Sequence, residues 1–169
     1  NFDAHFDLRE PEPLPHSGSP FLQIARHCAE HQNTFRYACI GVRKDANPQG
    51  LWEKAASLET MIIPRESMSP ENMGGMLNEL LLFLESIDAL YMTIDLDGFS
   101  SAYAPGVSAA SPMGYSPESL LPFLELILTS GKLISMDIAE LNPLHDRDGQ
   151  TAILAASLIH RVLHHPGLF

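Results

Sequence analysis

Cysteine is scarce in this chain. Cys28 and Cys39 are its only two, too few for a disulfide framework, so a reduced, cytoplasmic setting is the expectation. Positive charge is short as well: 10 Lys and Arg stand against 21 Asp and Glu, a formal charge of -11. That balance, with an isoelectric point near 5.0, argues against nucleic acid and anionic membrane as partners. No uninterrupted apolar run approaches the roughly 20 residues that a bilayer span requires. The opening residues are acidic and histidine-bearing, unlike the basic and then apolar start of a secretory leader. What remains is ordinary for a globular protein, with 45% apolar residues and a mean hydropathy of -0.01. The 169 residues suffice for a single domain, 1–169, with a sizeable core.

Two acidic stretches stand out against this background. Asp3, His5 and Asp7 are spaced two apart in Asn1–Arg9, so in an extended segment all three side chains leave one face. Asp95 and Asp97 repeat that spacing at the end of the apolar run Leu90–Ile94. Four carboxylates converging in one pocket would repel one another and shift in pKa, a conflict that two divalent cations remove. Oxygen ligands with one imidazole suit Mn²⁺ or a related borderline-hard metal. A two-metal site generates hydroxide at neutral pH and polarises the electrophile.

Between these stretches, strand and helix alternate. Phe2 to Asp7 reads as the end of a strand, and Pro11, Pro13 and Pro15 impose a surface loop. Ser19-Pro20 is an N-cap and first helical position for a helix to about His31. Phe35 to Val42 and Thr60 to Pro64 read as strands around a helix at Leu51–Leu58. Ser69-Pro70-Glu71 opens a helix whose Met73, Met76, Leu77 and Leu80 stripe is core. Leu90 to Asp95 is the next strand, and Gly98 lets the backbone turn sharply after it. Residues 99–115 form a loop long enough to suggest a function. Ser116 caps a helix that stops at Gly131, Leu133 to Ile138 is a strand, and a last helix runs from Thr151 to about His164. Such alternation predicts an α/β fold with a mainly parallel sheet between two helical layers. In such sheets sites gather beyond the carboxyl ends of the strands, where Asp3–Asp7, Asp95, Asp97 and Glu140 all fall.

These residues resemble a known family. Asp3-Ala4-His5-Phe6-Asp7 is similar to the D-A-H-x-D motif of the ureohydrolases, the arginase and agmatinase superfamily. Thr93-Ile94-Asp95-Leu96-Asp97-Gly98 resembles its S-x-D-x-D-G motif, and Asp137 to Pro143 its D-x-x-E-x-N-P signature. The resemblance implies a three-layer α/β/α arginase-like fold, two Mn²⁺ per site, and hydrolysis of a C–N bond in a guanidine or amidine. It makes Asp3 and Asp95 the bridging ligands, gives His5 and Asp97 to one ion and Asp7 to the other, and makes His16 a proton shuttle. Glu140 would hold the planar cation by paired hydrogen bonds. A homo-oligomer and a cytoplasmic setting are implied as well.

The departures are informative. Ser100 replaces a third aspartate, and Pro105-Gly106-Val107-Ser108-Ala109 replaces the family's Thr-Gly-Thr segment. With Phe2–Arg9, this looks most like the formimidoylglutamase branch, whose substrate N-formimidoyl-L-glutamate carries two carboxylates. Arg9 would then suit a substrate carboxylate, unless it is a surface arginine paired with Glu10 or Glu12; Asn47 is a second candidate for substrate binding. The family takes a further His ligand from an upstream G-G-D-H-S motif that has no match here, so the N-terminal part of a longer chain is expected to be missing. Agmatinase, arginase or guanidinobutyrase activity is the alternative within the superfamily. A non-catalytic metal-binding subunit, or an α/β domain without an active centre, are the alternatives outside it.

Overall fold

The computed structural model describes residues 1–168. Among these, four strands, β1 (Ala38–Val42), β2 (Met61–Pro64), β3 (Leu90–Asp95) and β4 (Leu133–Ala139), alternate with five helices. The helices are α1 (Pro20–Glu30), α2 (Gln49–Ser57), α3 (Met73–Glu85), α4 (Pro117–Thr129) and α5 (Gln150–Leu163). β1 pairs with β2 and β3 with β4, both in parallel. Phe2 bridges Ile40 on one side and Ile94 on the other, so the spatial order is β2-β1-Phe2-β3-β4. The start of the chain is therefore the centre of the sheet.

Strand alternation sorts the core into two clusters, one per face. Ile40, Ile63, Met92 and Ile94 pack with the apolar stripes of α3, α4 and α5. Cys39 and Ile62 point the other way, and the register shift at Gly41 (φ +96) brings Val42 to their side; they pack with Phe21 and Leu22 of α1 and with Leu51, Trp52 and Ala55 of α2. The result is the expected three-layer arrangement. Among the described residues, no helix is long and apolar enough to cross a membrane.

Local signals hold in several places. Ser116 Oγ accepts from Ser119 N at the start of α4, and Gly131 takes φ +67 just past its end. Elsewhere tertiary contacts move the boundaries. Ser19 stands at the start of α1 but does not cap it; its buried hydroxyl donates to His16 O (2.8 Å) instead. Ser69–Asn72 is a turn and α3 begins at Met73. Gly98 is needed for space rather than for a left-handed φ: a Cβ there would lie 2.5 Å from Tyr115 Oη.

One expectation changes its reason. The chain does not stay extended from Phe2 to Asp7; it bends at residues 3–5, and Asp7 takes φ +51. Asp3 Oδ1 accepts from His5 N at 2.7 Å, an Asx-type turn that pulls the backbone out of the pleat. The ligand face is built by a turn rather than by strand alternation.

Candidate metal centre

That turn is repeated in the second acidic stretch. Asp95 ends β3, and its Oδ1 accepts from Asp97 N at 2.9 Å, opening a 3₁₀ turn over Leu96–Gly98. In D-x-H and D-x-D alike, the first aspartate folds the backbone and so presents the residue two positions on. Because Phe2 sits between β1 and β3, the two turns lie side by side at the carboxyl end of the sheet. His5 Nδ1 comes 3.3 Å from Asp3 Oδ1 and 3.3 Å from Asp97 Oδ1. Asp3, His5 and Asp97 offer ligand atoms all within 4.8 Å of one another. One cavity of about 390 Å³ is lined by Asp3, His5, Asp7, Asp95, Asp97, Glu140 and Arg9 together.

Electrostatics in this cavity favour a cation. Burial, then the neighbouring Asp3 carboxylate, pushes Asp7 up to about 8. Burial, then Asp3 and Asp97, pushes Asp95 up to about 9, and burial raises Asp97 in spite of its contact with His5. His5 is pushed up to about 10 by the Asp3 carboxylate and then that of Asp97, each 3.3 Å from Nδ1. Asp97 Oδ1 is buried and receives no hydrogen bond, since the 3.3 Å approach of His5 does not amount to one. Close carboxylates, an orphaned buried oxygen and one imidazole are a donor set that fits a hard or borderline divalent ion.

The remaining expected residues divide. Glu140 takes φ +67, a left-handed conformation of the kind retained at sites, and its Oε2 accepts from Ser108 Oγ. Ser108 is a site residue that motif reading passed over, although the length of its loop pointed there. Asp137 also lines the cavity; it accepts from Tyr91 Oη and from Thr93 Oγ1 at 2.6 Å. Arg9 lines the cavity, whereas His16 and Asn47 do not. The His16 ring is exposed and folded onto its own loop, with Nε2 3.0 Å from Glu10 O and Nδ1 accepting from Gly18 N at 3.2 Å.

Sequence reading put Asn47 against substrate, but the structure buries it behind the ligand turn. Its Oδ1 accepts from Phe6 N (3.1 Å), while Nδ2 donates to Ala4 O and Arg43 O (2.8 Å each). These bonds flank His5 on both sides and stand in for the ladder bonds that the bend gives up. No motif signals such a role, because it depends on residues 41 and 43 positions away in sequence.

Residues 1–165 match the arginase family. The chain belongs to that family. It is 43% identical over 165 residues to the formimidoylglutamase of Legionella pneumophila (strain Lens), covering 96% of this chain and 52% of that protein. The crystal structure of formimidoylglutamase from Bacillus subtilis superposes with a TM-score of 0.87 at 24% identity, over 99% of this chain and 52% of that one. That of Trypanosoma cruzi formiminoglutamase with Mn²⁺ gives 0.83 at 18% identity, over 99% of this chain and 55% of that one. Both structures, at these identities, speak to the fold alone. The chain spans about half the length of the relatives it matches.

Proposed function

We propose that this chain carries the reaction centre of a binuclear-metal amidinohydrolase that hydrolyses N-formimidoyl-L-glutamate to L-glutamate and formamide. The observation that carries the reading is the single cavity shared by Asp3, Asp7, Asp95, Asp97, His5, Glu140 and Arg9. The formimidoylglutamase of Legionella supports the substrate, and the clustered carboxylates with one imidazole support the metal.

Asp3, His5, Asp7, Asp95 and Asp97 would hold the two ions. When bound, such cations supply Lewis-acid activation of the amidine and of the attacking water. Glu140, steadied by Ser108, pairs with the planar amidinium through parallel hydrogen bonds and so fixes which face of the carbon meets water. Arg9 receives a carboxylate of the glutamate portion. Water adds to the amidine carbon, the bond from that carbon to the glutamate nitrogen breaks, and the nitrogen leaves with a proton. Delivery of that proton by His16 belongs to the proposal and requires the loop to release the ring from Glu10 and Gly18. Cytoplasmic location and assembly as a homo-oligomer are proposed with it; two free cysteines support the first, and exposed Ile134 and Ile153 the second.

The test is product analysis on the full-length protein with Mn²⁺: formamide from N-formimidoyl-L-glutamate, beside urea from arginine and agmatine. Formamide release abolished by Asp95→Ala is the expected result. Urea release in its place moves the substrate to a guanidine, and metal binding without either product supports a non-catalytic role.

A further inference from the structure

Helix α1 carries a second group of metal-ligating side chains, outside the cavity. His27, Glu30 and His31 stand at i, i+3 and i+4, so one helical turn brings them onto the same exposed face. Their ligand atoms all lie within 4.8 Å of one another. The two imidazoles face each other at a centroid distance of 4.1 Å and an interplanar angle of 38°. His31 Nδ1 is 2.8 Å from the His27 carbonyl oxygen. A carbonyl only accepts, so Nδ1 carries the proton in that bond and Nε2 keeps its lone pair. Metal-bound histidines typically donate their second N–H in this way. The group also sits on the last turn of α1, where the helix dipole presents its negative end to a cation, on a chain with a formal charge of -11.

We propose that His27, Glu30 and His31 form a surface site for one borderline divalent cation: Zn²⁺, Ni²⁺ or Cu²⁺. Two imidazoles and one carboxylate favour these metals, whereas the oxygen-rich cavity favours harder ones. Water completes the coordination on the open side, and no cavity encloses the group, so the site binds metal without performing chemistry. Pro20, Phe21 and Ile24 of the same helix line the carboxylate cavity. An ion clamped across the end of α1 therefore stiffens one wall of that cavity.

Helix α5 supplies an internal comparison. His160 and His164 have the same spacing and stack at 4.0 Å, with His164 Nδ1 2.9 Å from the His160 carbonyl oxygen. Among the described residues they lack a third ligand, because Glu125, the acid beside the end of α5, is held by Arg161 and His165.

The experiment is a calorimetric titration of the metal-free, full-length protein with Zn²⁺. Wild type is compared with His27→Gln/His31→Gln and with His160→Gln/His164→Gln, thermal melting confirming that each variant is folded. The carboxylate centre is common to all three and cancels. Wild type and the α5 variant should take up one more equivalent than the α1 variant, and Glu30→Gln should weaken that equivalent by about tenfold. An unchanged stoichiometry in the α1 variant overturns the proposal. So does an equal loss from both histidine pairs, which would mean generic surface-histidine binding only.

Discussion

The guanidinium of Arg9 lies directly over Gly18. A Cβ at residue 18 would come within 2.0 Å of Nη2, 2.1 Å of Nε and 2.4 Å of Cζ, and the two backbones are joined by Arg9 N donating to Gly18 O at 2.9 Å. The bare backbone at Gly18 is thus the seat that aims Arg9 at the cavity. The arginine can move, so Gly18→Ala should fold normally with the guanidinium displaced. Loss of one charge-assisted contact should raise KM for N-formimidoyl-L-glutamate on the order of tenfold, with kcat nearly unchanged. Steady-state kinetics decide this, and an unaltered KM would remove Arg9 from the substrate site.

Asn47 should matter more for the ligand turn than for substrate. Asn47→Ala leaves Phe6 N without a partner and removes the bonds that Nδ2 gives to Arg43 O and to Ala4 O, the latter keeping its bond from Arg43 N at 3.0 Å. Buried groups left unpaired cost about 1–3 kcal/mol each, so a loss of roughly 2–4 kcal/mol in unfolding free energy is expected, together with metal affinity reduced about 10–100-fold. Chemical denaturation and Mn²⁺ titration measure the two effects. A variant as stable as wild type but with raised KM would return Asn47 to substrate binding.

Stability of the metal-free protein should fall as pH rises. In the folded chain Asp7 and Asp95 hold protons to about pH 8 and 9, and His5 to about 10; unfolded, the two types titrate near about 4 and 6.5. The folded state therefore binds more protons than the unfolded one between about pH 4 and 10, and stability declines across that window. The His5 contribution is complete below about pH 6.5 and is lost toward 10. The penalty from the two aspartates is absent below about pH 4 and complete above 9. Thermal melts of chelator-treated protein should give a lower Tm at pH 9 than at pH 5, and the opposite order would refute the coupling.

Asp95→Asn separates the two demands on this residue. Without metal it removes a buried, repelled carboxylate, so the variant should melt higher than wild type at pH 9. Mn²⁺, which raises the wild-type Tm by mass action, should leave the variant nearly unmoved. A variant still stabilised by Mn²⁺ would exclude Asp95 from the ligand set.

Tyr115 supports the turns from below. Its ring occupies the space that Gly41 and Gly98 leave open, and a Cβ at Gly41 would lie 2.4 Å from Cε1. Its buried hydroxyl has no hydrogen-bond partner. Tyr115→Phe should therefore be neutral or slightly stabilising, whereas Tyr115→Ala should cost about 3–5 kcal/mol by opening a cavity. A strongly destabilised Tyr115→Phe would show that the hydroxyl is bonded after all.

Sequence by itself determined what is local. Apolar runs of a few residues gave β3 and β4 nearly to the residue, Ser116 and Gly131 bounded α4, and the two-residue spacing of Asp3, His5, Asp95 and Asp97 marked the site, because caps, periodicity and motif spacing are properties of neighbouring residues. Only the tertiary structure decided the rest. It set Phe2 between β1 and β3, turned both acidic stretches by carboxylate-to-backbone bonds, sent Asn47 behind the turn and folded His16 away from the cavity. Each of these outcomes depends on which distant backbone groups are left unpaired once the sheet has formed, and on the requirement that buried groups find partners. That competition is settled by the whole fold, not by any one stretch of the chain.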